Sequence, residues 1–334
     1  MKKFINEPGA YVEEMLEGIL AAHPDRLSFA AGDRHCLVRA RPGRDKVALV
    51  TGGGSGHLPL FLGYVGEGLL DGCAVGGVFQ SPAAEQWCET AKAVHAGKGV
   101  LFIYGNYTGD IMNYEMAREM LELEGIRADE VRGFDDVASA PREERHKRRG
   151  VAGIFFLYKC AGALAETGAD FEAVKALAEK VGGRVATMGV ALSPCVIPEV
   201  GKPGFAIGGD EMEIGMGIHG EPGIRRGKLQ PADRVVDEML DPILRDLEMA
   251  SGDEAAVLIN GLGGTPLDEL YIIYRRVNQR LIQAGIGIFR VYAGEFATSM
   301  EMSGLSISLL KLDPEIKGLL AKPARSPFFE QGQL

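Results

Sequence analysis

Short apolar runs that end at glycines divide the first half of the chain at regular intervals. Residues 47–51, Val-Ala-Leu-Val-Thr, are apolar and stop at three consecutive glycines. Residues 99–104 repeat the pattern and stop at Gly105. Runs of this length and composition are typical of strands that are buried on both faces of a parallel sheet. The pattern therefore predicts one strand at each run.

Helical spacing fills the intervals between and after these strands. Residues 82–96 and 110–124 have the spacing of amphipathic helices. Four apolar residues share one face of the second segment: Met112, Met116, Met120 and Leu121. The alternation of strands and helices predicts an α/β fold whose first sheet is doubly wound.

Two adjacent glycines mark a boundary near the middle of the chain. A predicted helix at 170–181, with Asp170 as its N-cap, ends at Gly182-Gly183. A chain of 334 residues is longer than one typical core. We therefore expect two domains, each a sheet flanked by helices. Residues 1–183 would form the N-terminal α/β domain, and residues 184–334 the C-terminal one.

The second half begins with a strand and a region rich in glycine and proline. Residues 193–228 contain few helix signals. Further on, Thr265-Pro266-Leu267-Asp268 is typical of a capping box with proline at the first helical position. The other predicted elements are helices at 153–167 and 233–248 and strands at 184–192, 255–259, 286–292 and 305–312.

The charge balance is acidic. Thirty-six basic and 46 acidic side chains give a net charge of −10. Because nucleic-acid binding needs a concentrated positive surface, this balance argues against nucleic acid as a partner. One basic run, residues 142–149, is interrupted by two glutamates. We interpret it as a solvated loop rather than an anion-binding patch.

Cysteine usage and hydropathy indicate the compartment. The five cysteines lie far apart and form no C-x-x-C pair, which fits a reducing environment rather than a disulfide framework or a zinc site. The N-terminus has no apolar segment of the kind found in signal peptides. No apolar stretch reaches the roughly 18 residues of a membrane span. We expect a soluble cytoplasmic protein without membrane contact.

A glycine cluster after the first strand is the first candidate for chemistry. Residues 51–57 read Thr-Gly-Gly-Gly-Ser-Gly-His. Glycines at the carboxyl end of a strand let backbone N–H groups approach a polar ligand, as open α/β sheets commonly do. The segment lacks the lysine of a P-loop and fits the dinucleotide fingerprint poorly. A tight structural turn is the equally plausible alternative.

A second polar segment follows the second strand. Residues 104–110 read Tyr-Gly-Asn-Tyr-Thr-Gly-Asp. Asp110 precedes a helical run, so a helix N-cap is the simplest interpretation. The functional alternative is a carboxylate at the same sheet edge as His57, able to orient or deprotonate a hydroxyl group.

A third segment holds a histidine between glycines. Residues 217–223 read Gly-Ile-His-Gly-Glu-Pro-Gly, at the end of an alternating apolar run. Buried structural histidines usually have bulky neighbours, whereas Gly217 and Gly220 would leave the imidazole of His219 reachable. We therefore favour a functional role for His219 over a structural one.

Taken together, these motifs resemble the K subunit family of dihydroxyacetone kinases. The similarity spans nearly the whole chain and is carried by residues 52–57, 106–110 and 217–223, in this order. Supporting matches lie at 201–203, 236–239 and 265–271.

The resemblance implies a two-domain subunit, usually a homodimer, that binds dihydroxyacetone or a related ketose. His219 would attack the C2 carbonyl and form a hemiaminal. His57 and Asp110 would lie near the reacting hydroxyl, where either could remove its proton. The residues that would position the substrate are Gly54, Ser55, Gly56, His57, Asp110 and His219. A covalent bond to carbon would discriminate ketoses from polyols, which lack the electrophile.

The resemblance also implies a partner. No kinase-type or P-loop signature is present in the sequence. The phosphoryl donor would be held with magnesium by a separate L subunit, as exchangeable ATP or as ADP rephosphorylated by a phosphotransferase component. This chain would carry no cofactor or metal of its own and would be active only with that subunit.

The sequence departs from the family pattern at three positions. Leu58 replaces a common glutamate, Gly77 another, and Gly105 a common lysine. The loss of polar groups would create room, so we hypothesise a substrate larger than dihydroxyacetone, such as erythrulose. Altered contacts with the L subunit are the alternative explanation for Gly105.

Two other functions remain open at this point. Some family members sense a ketose and bind a transcription regulator, and the altered pocket is compatible with that role. A nucleotide-binding enzyme that uses the glycine loop for phosphate is the third hypothesis.

Overall fold

Two six-stranded sheets organise the protein, which a computed structural model describes over residues 2–333. The apolar runs of the first half form the centre of the first sheet, whose order is β1-β2-β4-β3-β5-β6. Strands β4, β3, β5 and β6 are parallel, and β1 and β2 form an antiparallel edge. The strands are β1 Leu27–Ala30, β2 Asp33–Arg39, β3 Ala48–Ser55, β4 Gly72–Val78, β5 Val100–Gly105 and β6 Ala128–Gly133.

Helices cover both faces of this sheet, so the doubly wound prediction is confirmed. Helices α2 and α3 pack on one face through an aromatic cluster that includes Trp87, Phe102 and Tyr114. Helices α4 and α5 belong to the core on the other face. The helices of this half are α1 Tyr11–Ala22, α2 Ala84–Val94, α3 Thr108–Leu123, α4 Ile154–Ala165 and α5 Phe171–Gly182.

The second sheet has the order β11-β10-β12-β7-β8-β9 and is mostly antiparallel. Its strands are β7 Val185–Ala191, β8 Glu211–Ile214, β9 Arg225–Lys228, β10 Glu254–Gly261, β11 Gly287–Glu295 and β12 Gly304–Lys311. The remaining elements are α6 Ala232–Asp246, α7 Leu267–Gln283, α8 Pro314–Leu320 and the short pair β13 Ala324–Arg325 and β14 Glu330–Gln331. Three 3-10 turns lie at Pro8–Ala10, Leu62–Tyr64 and Arg142–Lys147.

One hydrophobic core joins the two sheets. Helix α4 is buried almost throughout, and its cluster includes Phe155 and Phe156 together with Leu258 and Leu310 of the second sheet. The first sheet lies wholly before residue 183 and the second wholly after it. The division into two domains at that residue stays a prediction. Among residues 2–333, no helix has both the length and the apolar character needed to cross a bilayer.

The glycines after the first predicted strand belong to the strand itself. Strand β3 continues through Gly52, Gly53 and Gly54 to Ser55, so the loop that we predicted at residue 52 begins only after residue 55. Two aromatic rings explain the extension. A Cβ atom at Gly52 would lie 2.4 Å from the ring of Trp87, and one at Gly53 would lie 2.4 Å from the ring of Phe61. The missing side chains thus make room for neighbouring rings.

The capping box predicted at residues 265–268 is wrong, although a helix does begin there. Helix α7 starts at Leu267, with Pro266 as the N-cap residue. The hydroxyl of Thr265 donates to the carbonyl of Gly304, 2.6 Å away, and accepts from the N–H of Gly304 at 2.9 Å. The hydroxyl of Thr265 therefore bonds to the backbone of β12 and not to the N–H groups in the first turn of α7.

The methionine face of α3 is largely exposed. Met112 and Met116 are 59% and 55% accessible, whereas Tyr114, Ala117 and Leu121 face the core. The apolar stripe visible in the sequence therefore only partly coincides with the buried face.

Candidate functional site

Loops from both sheets bring the three sequence motifs together. Strands β3 and β5 are parallel neighbours, so the loop with His57 and the start of α3 with Asp110 lie at the same sheet edge. Strand β4 pairs with the other side of β3, so the strand order reverses here, at the kind of position where open α/β sheets bind ligands. The loop after β8 brings His219 to this edge, with its ring centroid 4.6 Å from that of His57.

His57 is fixed inside the protein. Its ring is 1% exposed and stacks on Phe79 with centroids 4.7 Å apart. Nδ1 lies 2.8 Å from the carbonyl oxygen of Thr298, so this nitrogen carries the proton and donates it. Nε2 has no partner among the described residues. Burial, together with the nearby His219, lowers the pKa of His57 to about 3, so the ring is neutral and offers a lone pair at Nε2.

His219 is more accessible and is held differently. Its side chain is 24% exposed, and its ring lies edge-on to Tyr107 at 4.7 Å and to Phe79 at 5.3 Å between centroids. Nδ1 lies 3.1 Å from Oε1 of Glu221. A carboxylate can only accept, so Nδ1 carries a proton, and Nε2 is the ring nitrogen that this bond does not occupy. The aromatic neighbours were not expected from the flanking glycines.

Glu221 is a site residue that our sequence analysis did not single out. Its Oε2 accepts from the backbone N–H of His219 at 2.9 Å while Oε1 faces the imidazole. Burial opposes its ionisation, but the hydrogen bond from His219 and the charges of His219 and Arg149 outweigh that cost and lower the pKa of Glu221 to about 2. The available signal was its position two residues after the histidine, across Gly220, whose φ is +82°.

Asp110 lies in the first turn of α3, and the N-cap interpretation of it is wrong. The N-cap residue is Tyr107, and no side chain caps the helix there. Asp110 is only 7% exposed, and its Oδ1 has no hydrogen-bond partner within the described chain. Burial raises the pKa of Asp110 to about 6, against the opposing effects of Ser81 and His219. This carboxylate is therefore unusually basic and is not used by the helix.

Gly54, Ser55 and Gly56 lead from the end of β3 into His57. A Cβ at Gly54 would lie 2.7 Å from the backbone nitrogen of Gln80, so this position requires glycine for close approach of the chain. The hydroxyl of Ser55 donates to the carbonyl of Gly76 at 2.8 Å and so keeps only acceptor capacity. Gly56 has φ +97°, and its carbonyl accepts from the N–H of Met300 at 2.8 Å.

The three departures from the family pattern do not open empty space. A Cβ at Gly105 would lie 2.9 Å from the ring of Tyr107, and one at Gly77 would lie 2.8 Å from the amide oxygen of Gln80. Leu58 packs against the large hydrophobic core. Neighbouring side chains therefore cover both glycines.

The basic run at residues 142–149 is only partly solvated. Arg148 is 2% exposed and makes two hydrogen bonds to Asp246, of 2.9 and 2.8 Å. Arg149 reaches the loop that carries His219. Our interpretation of the whole run as a solvated loop is therefore wrong for its last two arginines, because buried carboxylates attract them inward.

The chain is an α/β protein with two sheets, and a pair of contacting histidines lies where loops from the two sheets meet. The family model of the Dak1 domain matches residues 17–328, and the chain belongs to the Dak1 domain family. This finding confirms the resemblance to dihydroxyacetone kinase K subunits and places the chain in a family of ketose kinases.

Two curated relatives illustrate the family. The chain is 45% identical over 331 residues to a protein of Listeria innocua named PTS-dependent dihydroxyacetone kinase 2, dihydroxyacetone-binding subunit DhaK, and covers 99% of both chains. It is 40% identical over 338 residues to the L-erythrulose kinase of Pectobacterium atrosepticum. That match covers 100% of this chain and 57% of the relative, which is therefore a longer protein.

Solved structures share the fold. The dihydroxyacetone kinase of C. freundii matches with a TM-score of 0.89 at 30% identity, over 99% of this chain and 60% of that one. The dihydroxyacetone kinase operon co-activator DhaQ matches with a TM-score of 0.87 at 33% identity, over 93% of this chain and 96% of that one.

Proposed function

We propose that this chain is the ketose-binding subunit of a dihydroxyacetone-type kinase and that it holds its substrate as a hemiaminal on His219. The observation that carries the proposal is the hydrogen bond from His219 Nδ1 to Glu221, which makes Nε2 the nitrogen of the neutral imidazole that can attack, on a side chain that is 24% exposed. The substrate is dihydroxyacetone or a tetrulose such as erythrulose. Relatives named for both ketoses match nearly the full length of the chain.

In the covalent step, the Nε2 lone pair of His219 adds to the keto carbon. The C=O π electrons move to oxygen, and the resulting alkoxide takes a proton to become a hydroxyl. The imidazolium that forms gives up its Nδ1 proton, which passes to solvent by way of Glu221, 3.1 Å away. The alkoxide takes its proton from solvent, so one proton is lost, one is gained, and the adduct is neutral. A small polar ketone buries little area, and a covalent bond supplies affinity that contacts alone would not.

In the transfer step, Asp110 would take the proton of the terminal hydroxyl as the oxygen attacks the γ-phosphorus of ATP held by the partner, and the bond between that phosphorus and the leaving ADP would break. With a pKa of about 6, Asp110 is ionised at neutral pH and basic enough to act as a general base. The pKa of His57, about 3, makes it a poorer base. Its free Nε2 instead accepts a hydrogen bond from the substrate. Gly54, Ser55 and Gly56 support the substrate from below.

The phosphoryl group comes from a partner. We propose a separate L subunit that carries ATP, or ADP rephosphorylated by a phosphotransferase component, together with magnesium. Two comparisons support this arrangement: the relative from Listeria innocua is named as a PTS-dependent subunit, and the C. freundii kinase was solved with AMP-PNP and Mg²⁺. A homodimer of this chain in the cytoplasm completes the proposal.

The size of the substrate that fits depends on the space beside Gly105 and Gly77. Tyr107 and Gln80 occupy the space beside Gly105 and Gly77, so the extra room for a tetrulose requires these side chains to move. Gln80 is exposed and can do so readily. Comparing the kinetics of dihydroxyacetone with those of the two erythruloses, using the matched L subunit, decides between the substrates.

The test is intact-protein mass spectrometry after incubation with ketoses of three to five carbons and mild reduction. We expect the mass of one ketose to be added to the wild type, and no addition to His219→Ala. His146→Ala removes an exposed histidine far along the chain and serves as the control that keeps the adduct. A wild type that stays unmodified with every ketose would refute the hemiaminal.

A ketose sensor that binds a transcription regulator is the second candidate. The observation in its favour is the match to the co-activator DhaQ over nearly the whole chain. The kinase and the sensor differ in one measurement. Ketose phosphate forms when the L subunit and a phosphoryl donor are added to a kinase subunit, and none forms with a sensor.

A further inference from the structure

The loop that carries His219 is tied to the first half of the protein by a partly buried ion pair between Arg149 and Asp136. Arg149 lies between β6 and α4, and its Nε donates to Oδ2 of Asp136 at 2.8 Å. The same guanidinium donates to the carbonyl of Gly215 at 2.9 Å. One arginine thus connects the segment after the first sheet with the segment that leads to His219.

The same arginine also faces the carboxylate that holds the imidazole. Its nearest terminal nitrogen lies 4.0 Å from Oε2 of Glu221. A Cβ at Gly217 would lie 2.6 Å from that nitrogen and 2.1 Å from Oε2. A side chain at this position would therefore separate the two charges, which explains the need for glycine at residue 217 in physical terms.

The ion pair between Arg149 and Asp136 is strengthened because little water reaches it. The side chain of Arg149 is 14% exposed and that of Asp136 is 3% exposed. Charges screened so little by water interact more strongly than surface ion pairs do. Asp136 is itself oriented by the N–H of Ala138, which donates to its Oδ1 at 3.0 Å. The guanidinium is therefore held in one position rather than free to follow the loop.

We infer that Arg149 and Asp136 are positioning residues that fix Glu221, and through it the Nδ1–H tautomer of His219. The inference rests on the proposed function, in which the Nε2 lone pair is the nucleophile. The carboxylate of Glu221 has two acceptor oxygens, one for the N–H of His219 and one for Nδ1. Without Arg149, only the contacts to His219 itself hold the carboxylate, so it can turn away from Nδ1, and the imidazole can then adopt the other tautomer, whose Nε2 carries the proton and cannot attack.

The test measures the tautomer and ketose binding in the same variants. We expect ¹⁵N NMR of histidine-labelled wild type to show His219 with a protonated Nδ1 and an unprotonated Nε2. Arg149→Gln should give a mixture of tautomers and raise the Kd for the ketose about 10-fold, by analogy with the losses that follow removal of the outer partner of a metal-bound histidine. Arg149→Lys keeps the charge with fewer simultaneous bonds and should recover part of the affinity.

Two further variants separate positioning from folding. Arg149→Gln leaves Asp136 as an unpaired buried carboxylate, which can destabilise the protein on its own. The double variant with Asp136→Asn removes both charges, and we expect it to fold with the mixed tautomer. Arg142→Gln, an exposed arginine of the same basic run that pairs with Glu248, is the control that should match the wild type.

The outcomes are distinct. A wild-type tautomer and ketose affinity in both the single and the double variant would overturn the inference, whatever happens to stability. A wild type that forms no ketose adduct would defeat the proposed function instead. The ¹⁵N spectra of the ligand-free variants would still decide whether Arg149 sets the tautomer of His219.

Discussion

The two histidines of the site touch each other but occupy opposite surroundings. His57 comes from the first half of the chain, is buried, and donates from Nδ1 to a backbone carbonyl. His219 comes from the second half, is partly exposed, and donates from Nδ1 to a carboxylate. Both therefore present Nε2 to the site. The difference is that one imidazole is fixed by the core, and the other by an ionised partner on its own loop.

This difference suits a division of labour. A fixed neutral acceptor is suited to orienting a substrate, whereas an accessible imidazole next to a carboxylate can form a bond and pass its second proton on. Asp110 belongs with His57 on the buried side, since it too is enclosed and has an unpartnered atom. The first half would thus handle the hydroxyl, and the second half the carbonyl.

The largest expected effect comes from Asp110→Asn. Loss of the general base should lower kcat by about 10²- to 10⁴-fold, while the adduct on His219 still forms. Turnover of the wild type should decline as the pH falls through about 6, the pKa of Asp110. This acid limb should be absent from the variant. Steady-state kinetics with the L subunit, alongside adduct mass spectrometry, measure both. Normal turnover would show that Asp110 is not the base.

The same substitution should stabilise the protein. The folded-state pKa of Asp110 lies above its ordinary value of 3.8, so the folded protein binds this proton more tightly than the unfolded chain does. The ionised carboxylate therefore costs stability progressively as the pH rises from about 4 to about 6, and the cost is complete above that range. At pH 7, Asp110→Asn should raise the free energy of unfolding by about 3 kcal/mol. Denaturant unfolding should show that gain disappearing below about pH 4.

A smaller effect is expected for His57→Asn. Asparagine can still donate to the carbonyl of Thr298 but no longer offers Nε2 to the substrate. Because one orienting hydrogen bond is lost and the base remains, kcat should fall about 10- to 100-fold. The adduct on His219 should persist. If the adduct disappears, the two histidines do not divide the work as proposed.

Local chemistry made much of this architecture predictable. Asp170 is the N-cap of α5 as expected, with its side chain accepting from the N–H of Ala173 at 2.8 Å. Apolar runs next to glycine predicted the central strands of the first sheet, and the motifs at residues 52–57 and 217–223 predicted two histidines that contact each other. In each case, the signal lies within a few residues of the position it describes.

Contacts between distant segments account for what could not be predicted. Strand β3 extends through its glycines only because the rings of Trp87 and Phe61 occupy the space beside them. Arg149 is drawn inward by Asp136, and nothing in the basic run itself distinguishes it from Arg142, which stays exposed. Such pairings depend on how the halves pack, and a local pattern does not contain that information.

The last comparison concerns two glycines, one directly before His57 and one directly after His219. Gly56 and Gly220 both have positive φ, of +97° and +82°, so alanine is strained at either position. At Gly56, a Cβ would lie 2.8 Å from the ring of Phe79, which stacks on His57. At Gly220, the nearest atom would be 3.1 Å away, on the side chain of Phe205.

We therefore expect alanine to be tolerated less well at Gly56, next to the core, than at Gly220, in the loop of His219. We expect Gly56→Ala to lower the free energy of unfolding by about 3 kcal/mol and Gly220→Ala by about 1 kcal/mol, since only the first adds a buried clash to the backbone strain. Gly209→Ala, at a position with no neighbouring atom within 4 Å, is the control for the substitution itself. Denaturant titration measures all three. Equal losses of unfolding free energy at Gly56 and Gly220 would contradict this prediction. They would mean that the loop around His219 relaxes no more easily than the core around His57 when a Cβ atom is added.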